Sequence, residues 1–124
     1  MRLLLIPAVV ILMLGPLAAH AADLGGVWEG RAGITRIRFT PCEQGLCGRI
    51  VWIRPGARSK ARLNEPVFTH LIHSGDSTWT GEASNPEDGR TYQTTVTVEG
   101  RHLLVRGCVL GGMICKSEIW TKVG

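Results

Sequence analysis

Residues Trp79 to Lys122 read WTGEASNPEDGRTYQTTVTVEGRHLLVRGCVLGGMICKSEIWTK, and the punctuation of this stretch decides the fold class. Turn signals fall at Asn85-Pro86-Glu87-Asp88-Gly89, at Glu99-Gly100 and at Gly111-Gly112, with short runs rich in Thr, Val and Ile between them. Proline presets φ and glycine accepts positive φ, so each break has a mechanism, and the runs read as strands joined in hairpins. Thr91 to Val98 alternates, which puts Tyr92, Thr94, Val96 and Val98 on one face. A turn at Glu99-Gly100 sets Val96 opposite Leu103, Thr94 opposite Val105 and Tyr92 opposite Gly107. A ring lying over a strand glycine would explain why Gly107 is tolerated there.

The last hairpin, turning at Gly111-Gly112, pairs Val109 with Ile114, Cys108 with Cys115, Val105 with Glu118 and Leu103 with Trp120. Leu103, Val105, Val109, Ile114 and Trp120 then continue the inner face, and the cysteines point the other way. The same register carries Lys116 and Glu118 inward beside Trp120, either near an open end or as a polar site inside the barrel. A single-residue bulge would exchange these faces.

Upstream, Ile34 to Thr40 and Leu46 to Arg54 flank Pro41-Cys42-Glu43-Gln44-Gly45-Leu46-Cys47. With Gln44-Gly45 as the turn, Cys42 opposes Cys47, Phe39 opposes Ile50 and Ile37 opposes Trp52. Ile37, Phe39, Ile50 and Trp52 share one face; Arg36, Arg38, Arg49 and the cysteines share the other. Residues directly across a ladder lie about 4.5–5.5 Å apart at Cα, within disulfide reach. Of the three ways to pair four cysteines, two independently read hairpins select Cys42–Cys47 and Cys108–Cys115.

Between these hairpins, Arg54 to Pro66 (RPGARSKARLNEP) reads as a loop. Its Arg54, Arg58, Lys60 and Arg62 are the side chains of an ordinary solvated loop, or a basic rim that attracts an anionic ligand or lipid headgroups at a barrel mouth. Val67 to His73 is apolar enough for another strand. His70 and His73 lie three apart and would point to opposite faces of it, so no metal site is expected from that pair. Glu87 and Asp88 lack the spacing of a calcium loop and read as solvated turn residues.

Met1-Arg2, an apolar run from Leu3 to Ala19 and Ala19-His20-Ala21 form the three parts of a secretory signal peptide, with cleavage expected after Ala21. The product, residues 22–124, is a single small domain that does not span a membrane, in the periplasm or secreted. An even number of cysteines suits a small exported chain. Without Arg2, thirteen basic residues face ten acidic ones, a net charge of +3, too mild to argue for nucleic-acid binding.

Near the start of that product, Gly26-Val27-Trp28 resembles the opening strand of lipocalin-type barrels, in which the tryptophan plugs the closed end. A broader resemblance rests on Gly26-Val27-Trp28, Gly48-Arg49-Ile50-Val51, Trp79-Thr80-Gly81, Asn85-Pro86 through Gly89-Arg90-Thr91-Tyr92, Leu104-Val105-Arg106-Gly107 and Trp120-Thr121-Lys122. In this order they resemble a bacterial family known as domain of unknown function 2147, whose members look like small exported proteins with a lipocalin-like barrel. That resemblance implies no catalytic residues. This chain departs from the family pattern between Pro55 and Pro66, where many relatives carry a longer insertion with further cysteines.

The expected fold is therefore all-β, a small antiparallel, lipocalin-like, up-and-down barrel of about 7–8 strands. The expected role is non-catalytic binding of a small apolar or amphipathic ligand, with Trp28, Trp52, Tyr92, Lys116, Glu118 and Trp120 as candidate contacts and no cofactor. The alternative is an inhibitor or envelope-interaction module acting through the loop at 54–66. Catalysis is not expected: the chain has one tyrosine, no Gly-x-Ser-x-Gly and no free cysteine if both disulfides form.

Overall fold

The computed structural model describes residues 23–30 and 32–124; the segment read as a signal peptide lies outside them. Eight antiparallel strands follow one another in order around a closed barrel. They are β1 (Val27–Glu29), β2 (Thr35–Pro41), β3 (Leu46–Ile53), β4 (Pro66–Gly75), β5 (Thr78–Ser84), β6 (Thr91–Glu99), β7 (His102–Val109) and β8 (Ile114–Lys122). Closure is made by the shortest strand, with Trp28 opposite Lys122 and Glu29 opposite Thr121. Closing the sheet pairs every strand on both sides and leaves no open edge.

Connections alternate between the two ends. Residues 42–45, 76–77 and 100–101 turn at one end, where the chain enters at Leu24 and leaves at Gly124. Residues 32–34, 54–65, 85–90 and 110–113 lie at the other end, the mouth. The first end is plugged. Trp28, Leu24, Ile37, Leu71, Val96 and Leu103 are buried there or in mid-barrel. The Trp28 indole N–H donates to the Leu24 carbonyl at 3.2 Å.

Two hairpins fall in registers that differ from the sequence reading by two residues. In β2–β3, Ile37 opposes Ile50 and Phe39 opposes Gly48, with Cys42 to Gly45 forming the connection. The reason lies at Gly48. A Cβ there would stand 2.8 Å from the Phe39 ring, so the glycine makes the room that the aromatic occupies. Cys42–Cys47 forms as expected, but Thr40 rather than Cys42 is the ladder partner of Cys47.

In β6–β7 the turn is Gly100-Arg101 rather than Glu99-Gly100, because Gly100, at φ 63°, takes the first central position. Val96 therefore opposes Val105 and Thr94 opposes Gly107. Tyr92 still lies over Gly107, now on the diagonal, with its Cβ 3.1 Å from where a Cβ of Gly107 would be. A shift of two preserves which face each side chain occupies, so Ile37, Phe39, Ile50, Val96 and Val98 are buried as expected. The β7–β8 register is the expected one throughout, with Cys108–Cys115 formed across it and Leu110–Gly112 as a short 3-10 turn.

Trp52 is the residue whose face changes. Ile37 pairs with Ile50 but Arg36 pairs with Trp52, so Val51 is an extra residue in β3. The bulge resets the alternation. Trp52 is carried out of the barrel to stack under the Arg36 guanidinium, 4.1 Å from the ring centroid, and Ile53 turns inward. Glu29 holds that guanidinium in place through a 2.9 Å hydrogen bond from its Nε.

Candidate functional site

The mouth half of the barrel is not filled. A cavity of about 400 Å³ descends between the mouth connections to Phe68 and Trp120. Ile50, Val67 and Val105 supply its apolar walls, and Thr94 a hydroxyl that is satisfied by the Tyr92 carbonyl at 2.9 Å. Phe68 and Trp120 meet edge to face, with centroids 5.7 Å apart, and form its floor.

Ionisable groups gather above that floor. Glu118 opposes Val105 across the ladder, and its carboxylate accepts the Trp120 indole N–H at 3.0 Å. One turn of the pleat nearer the mouth, Lys116 opposes Gly107 and reaches solvent. Its Nζ lies 5.9 Å from the Tyr92 ring centroid. The Tyr92 hydroxyl donates to Asp88 at 2.6 Å, and Asp88 also accepts the Arg90 backbone N–H. These bonds hold the Asp88 carboxyl below its ordinary range, the tyrosine hydrogen bond contributing most. The same bond raises the Tyr92 phenol above its ordinary value.

The loop at 54–65 folds over one side of the cavity. Glu87 accepts the Ser59 hydroxyl and the Lys60 backbone N–H, which ties the loop to the β5–β6 connection. Ser59 in turn accepts the Ala61 N–H at 3.0 Å. This bracing brings Arg58 and Ala61 to the cavity lining. Glu87 and Asp88 are exposed turn residues, as expected from sequence, and each also has a partner: one fastens the cover, the other fixes the tyrosine.

Of the candidate contacts, Tyr92, Lys116, Glu118 and Trp120 line this cavity together. Trp28 and Trp52 do not line it, since Trp28 is packed at the plugged end and Trp52 is outside. Of the basic rim, Arg58 lines the cavity while Arg54, Lys60 and Arg62 are exposed around it. Phe68 escaped sequence reading, since one aromatic in a seven-residue apolar run gives no sign of which residue faces a lumen. The Ser59–Glu87 link joins residues 28 apart and leaves no local pattern.

The histidines lie elsewhere. His70, at φ 55°, sits where the β4–β5 register slips, and His73 stacks on Trp79 with centroids 4.6 Å apart. Among the described residues, no group of three His, Cys, Asp or Glu side chains is placed to hold a metal ion.

The model of a family described as uncharacterised proteins conserved in bacteria, DUF2147, matches residues 26–122, nearly the whole described barrel. The chain belongs to this family. The match runs from the Gly26-Val27-Trp28 opening through the closing Trp120-Thr121-Lys122, so the DUF2147 unit and the barrel coincide. Among solved structures, the chain is similar to protein HP1028 from the human pathogen Helicobacter pylori, described as belonging to the lipocalin family. The two superpose with a TM-score of 0.68 over 82% of this chain and 84% of the other, at 17% sequence identity. At that identity the likeness is one of fold: the DUF2147 barrel is lipocalin-like. No curated protein matches the chain.

Proposed function

We propose that the protein is an exported, non-catalytic binder of a small amphipathic ligand, held with its apolar part on Phe68 and Trp120 and its polar part among Lys116, Tyr92 and Arg58. The observation that carries this reading is the cavity itself. Its volume, about 400 Å³, falls within the roughly 300–1,000 Å³ of small-molecule sites, and an apolar floor beneath a few convergent polar groups is their usual composition. Two disulfides support export, because such bonds persist in oxidising compartments. The fastening of the loop at 54–65 to Glu87 favours a cover over the mouth rather than a protruding probe for a partner protein.

Native mass spectrometry of protein purified from its producing cells, beside the same sample denatured, tests the reading. A mass present only in the native spectrum supports it. The companion experiment uses N-phenylnaphthylamine as probe, with Val105→Phe to narrow the cavity and a thermal melt to confirm folding. Fluorescence enhancement in the wild type and its loss in a folded Val105→Phe protein is the expected result. A bare native mass together with no enhancement in the wild type refutes the proposal.

A further inference from the structure

The turn between β7 and β8 exposes apolar side chains that the barrel does not use. Leu110 is 67% exposed, Met113 83% and Ile114 53%. Nothing lies within 4 Å of where a Cβ on Gly111 or Gly112 would stand, so the tip is clear of the rest of the molecule. Leu110 adopts φ 55°, a left-handed conformation that glycine or asparagine would take at less cost. A leucine has thus been placed there without any packing to offset the conformation. The Cys108–Cys115 disulfide closes the base of the turn, and Arg106 donates to the Cys115 sulfur at 3.3 Å. The tip is held out.

At the same end, the mouth connections carry exposed cations at Arg54, Arg58, Lys60, Arg62 and Arg90, and the strands add Lys116 on β8 and Arg106 at the tip's base. Leu63, 64% exposed, adds a second apolar point on the loop at 54–65. Among the acids at this end, Glu29 pairs with Arg36, while Glu65 accepts the Arg62 N–H, Glu87 the Ser59 hydroxyl, Asp88 the Tyr92 hydroxyl and Glu118 the Trp120 indole N–H. Those carboxylates keep their charge, but the seven cations named outnumber Glu65, Glu87, Asp88 and Glu118, so the mouth presents apolar points among an excess of cations.

We propose that the mouth docks on an anionic lipid bilayer, with Leu110, Met113 and Ile114 inserted at the headgroup–acyl boundary and the surrounding Arg and Lys side chains on lipid phosphates. Such surfaces bind by apolar area plus attraction to anionic lipid. A fluid interface accepts a small projecting tip without a shaped partner. A second copy is the poorer occupant, because a mouth-to-mouth contact would face the same cations against each other. The tip is also far smaller than the roughly 800 Å² per partner of a stable protein interface. Docking does not depend on the cavity being occupied.

The test is sedimentation of the disulfide-bonded protein, its N-terminus defined by intact mass, with vesicles of phosphatidylcholine alone or with one-third phosphatidylglycerol. Binding to the anionic vesicles only, weakening as salt rises, is expected. Leu110→Asn with Met113→Ser keeps the turn's φ accessible and should lower vesicle affinity by about tenfold or more. Met113→Trp should give blue-shifted tryptophan emission on anionic vesicles and be quenched by brominated lipid. No binding to anionic vesicles overturns the proposal, as does full binding by the double variant. A concentration-dependent dimer in solution that the double variant abolishes overturns it too, by assigning the tip to self-association. Phenylnaphthylamine enhancement measured without vesicles reads the cavity separately, so either proposal can fail alone.

Discussion

Tyr92 is the only tyrosine in the chain, which makes its environment measurable in isolation. Its hydroxyl donates to Asp88, so ionising it must break that bond and place two negative charges together. The absorbance titration of the phenol should therefore have its midpoint above the ordinary value of about 10, and Asp88→Asn should bring it down. The stability linkage has two signs. Asp88 is depressed in the fold, so its contribution is present above the ordinary carboxylate range and lost as pH falls through its folded value. Tyr92 is raised, so its contribution is present at neutral pH and lost as pH rises past the ordinary phenol value through the folded one. A wild-type phenol midpoint at or below the ordinary value would remove the hydrogen bond from the mouth.

Among the hairpins, legibility in the sequence followed turn chemistry. Gly111-Gly112 fixed the β7–β8 register residue by residue, and with it the inward aim of Lys116 and Glu118. At β2–β3 and β6–β7 the faces were readable and the pairings were not. A two-residue shift leaves the apolar pattern unchanged, and what selects between registers is the fit of Phe39 over Gly48 or the φ of Gly100. Trp52 was misplaced because a bulge of one residue has no signature in alternation alone. The disulfides were legible because each joins neighbouring positions in one hairpin, Cys42–Cys47 at the plugged end and Cys108–Cys115 at the mouth. Each closes a short loop, so replacing either pair by serine should lower stability by about 2–3 kcal/mol. Since the two lie at opposite ends, the losses should add to within about 0.5 kcal/mol in the quadruple variant by denaturant unfolding. A clear excess over additivity would mean that the two ends communicate through the barrel.

For the molecule as a whole, the β-class followed from the run of short strands, and closure from the resemblance to lipocalin-type barrels. The cavity did not follow, because a barrel of this size can be filled or left open by the aim of a few side chains. Trp120 holds this balance. It pairs with Leu103, meets Phe68 across the lumen and anchors Glu118. Trp120→Ala should cost about 3–5 kcal/mol and lower the melting temperature sharply, since the floor would open into a void that the neighbours cannot close. An unchanged melt would place that ring outside the cooperative core.

Both ends of the described barrel chain meet far from the mouth, where the Val27 N–H donates to the Gly124 carbonyl and the Val123 N–H to the Val27 carbonyl. A tether attached at either end therefore acts as a stalk under an upright cup. Anchored on a sensor chip, a bead or a fusion partner, the protein would present its opening outward, with its cations and apolar tip free to meet whatever passes above.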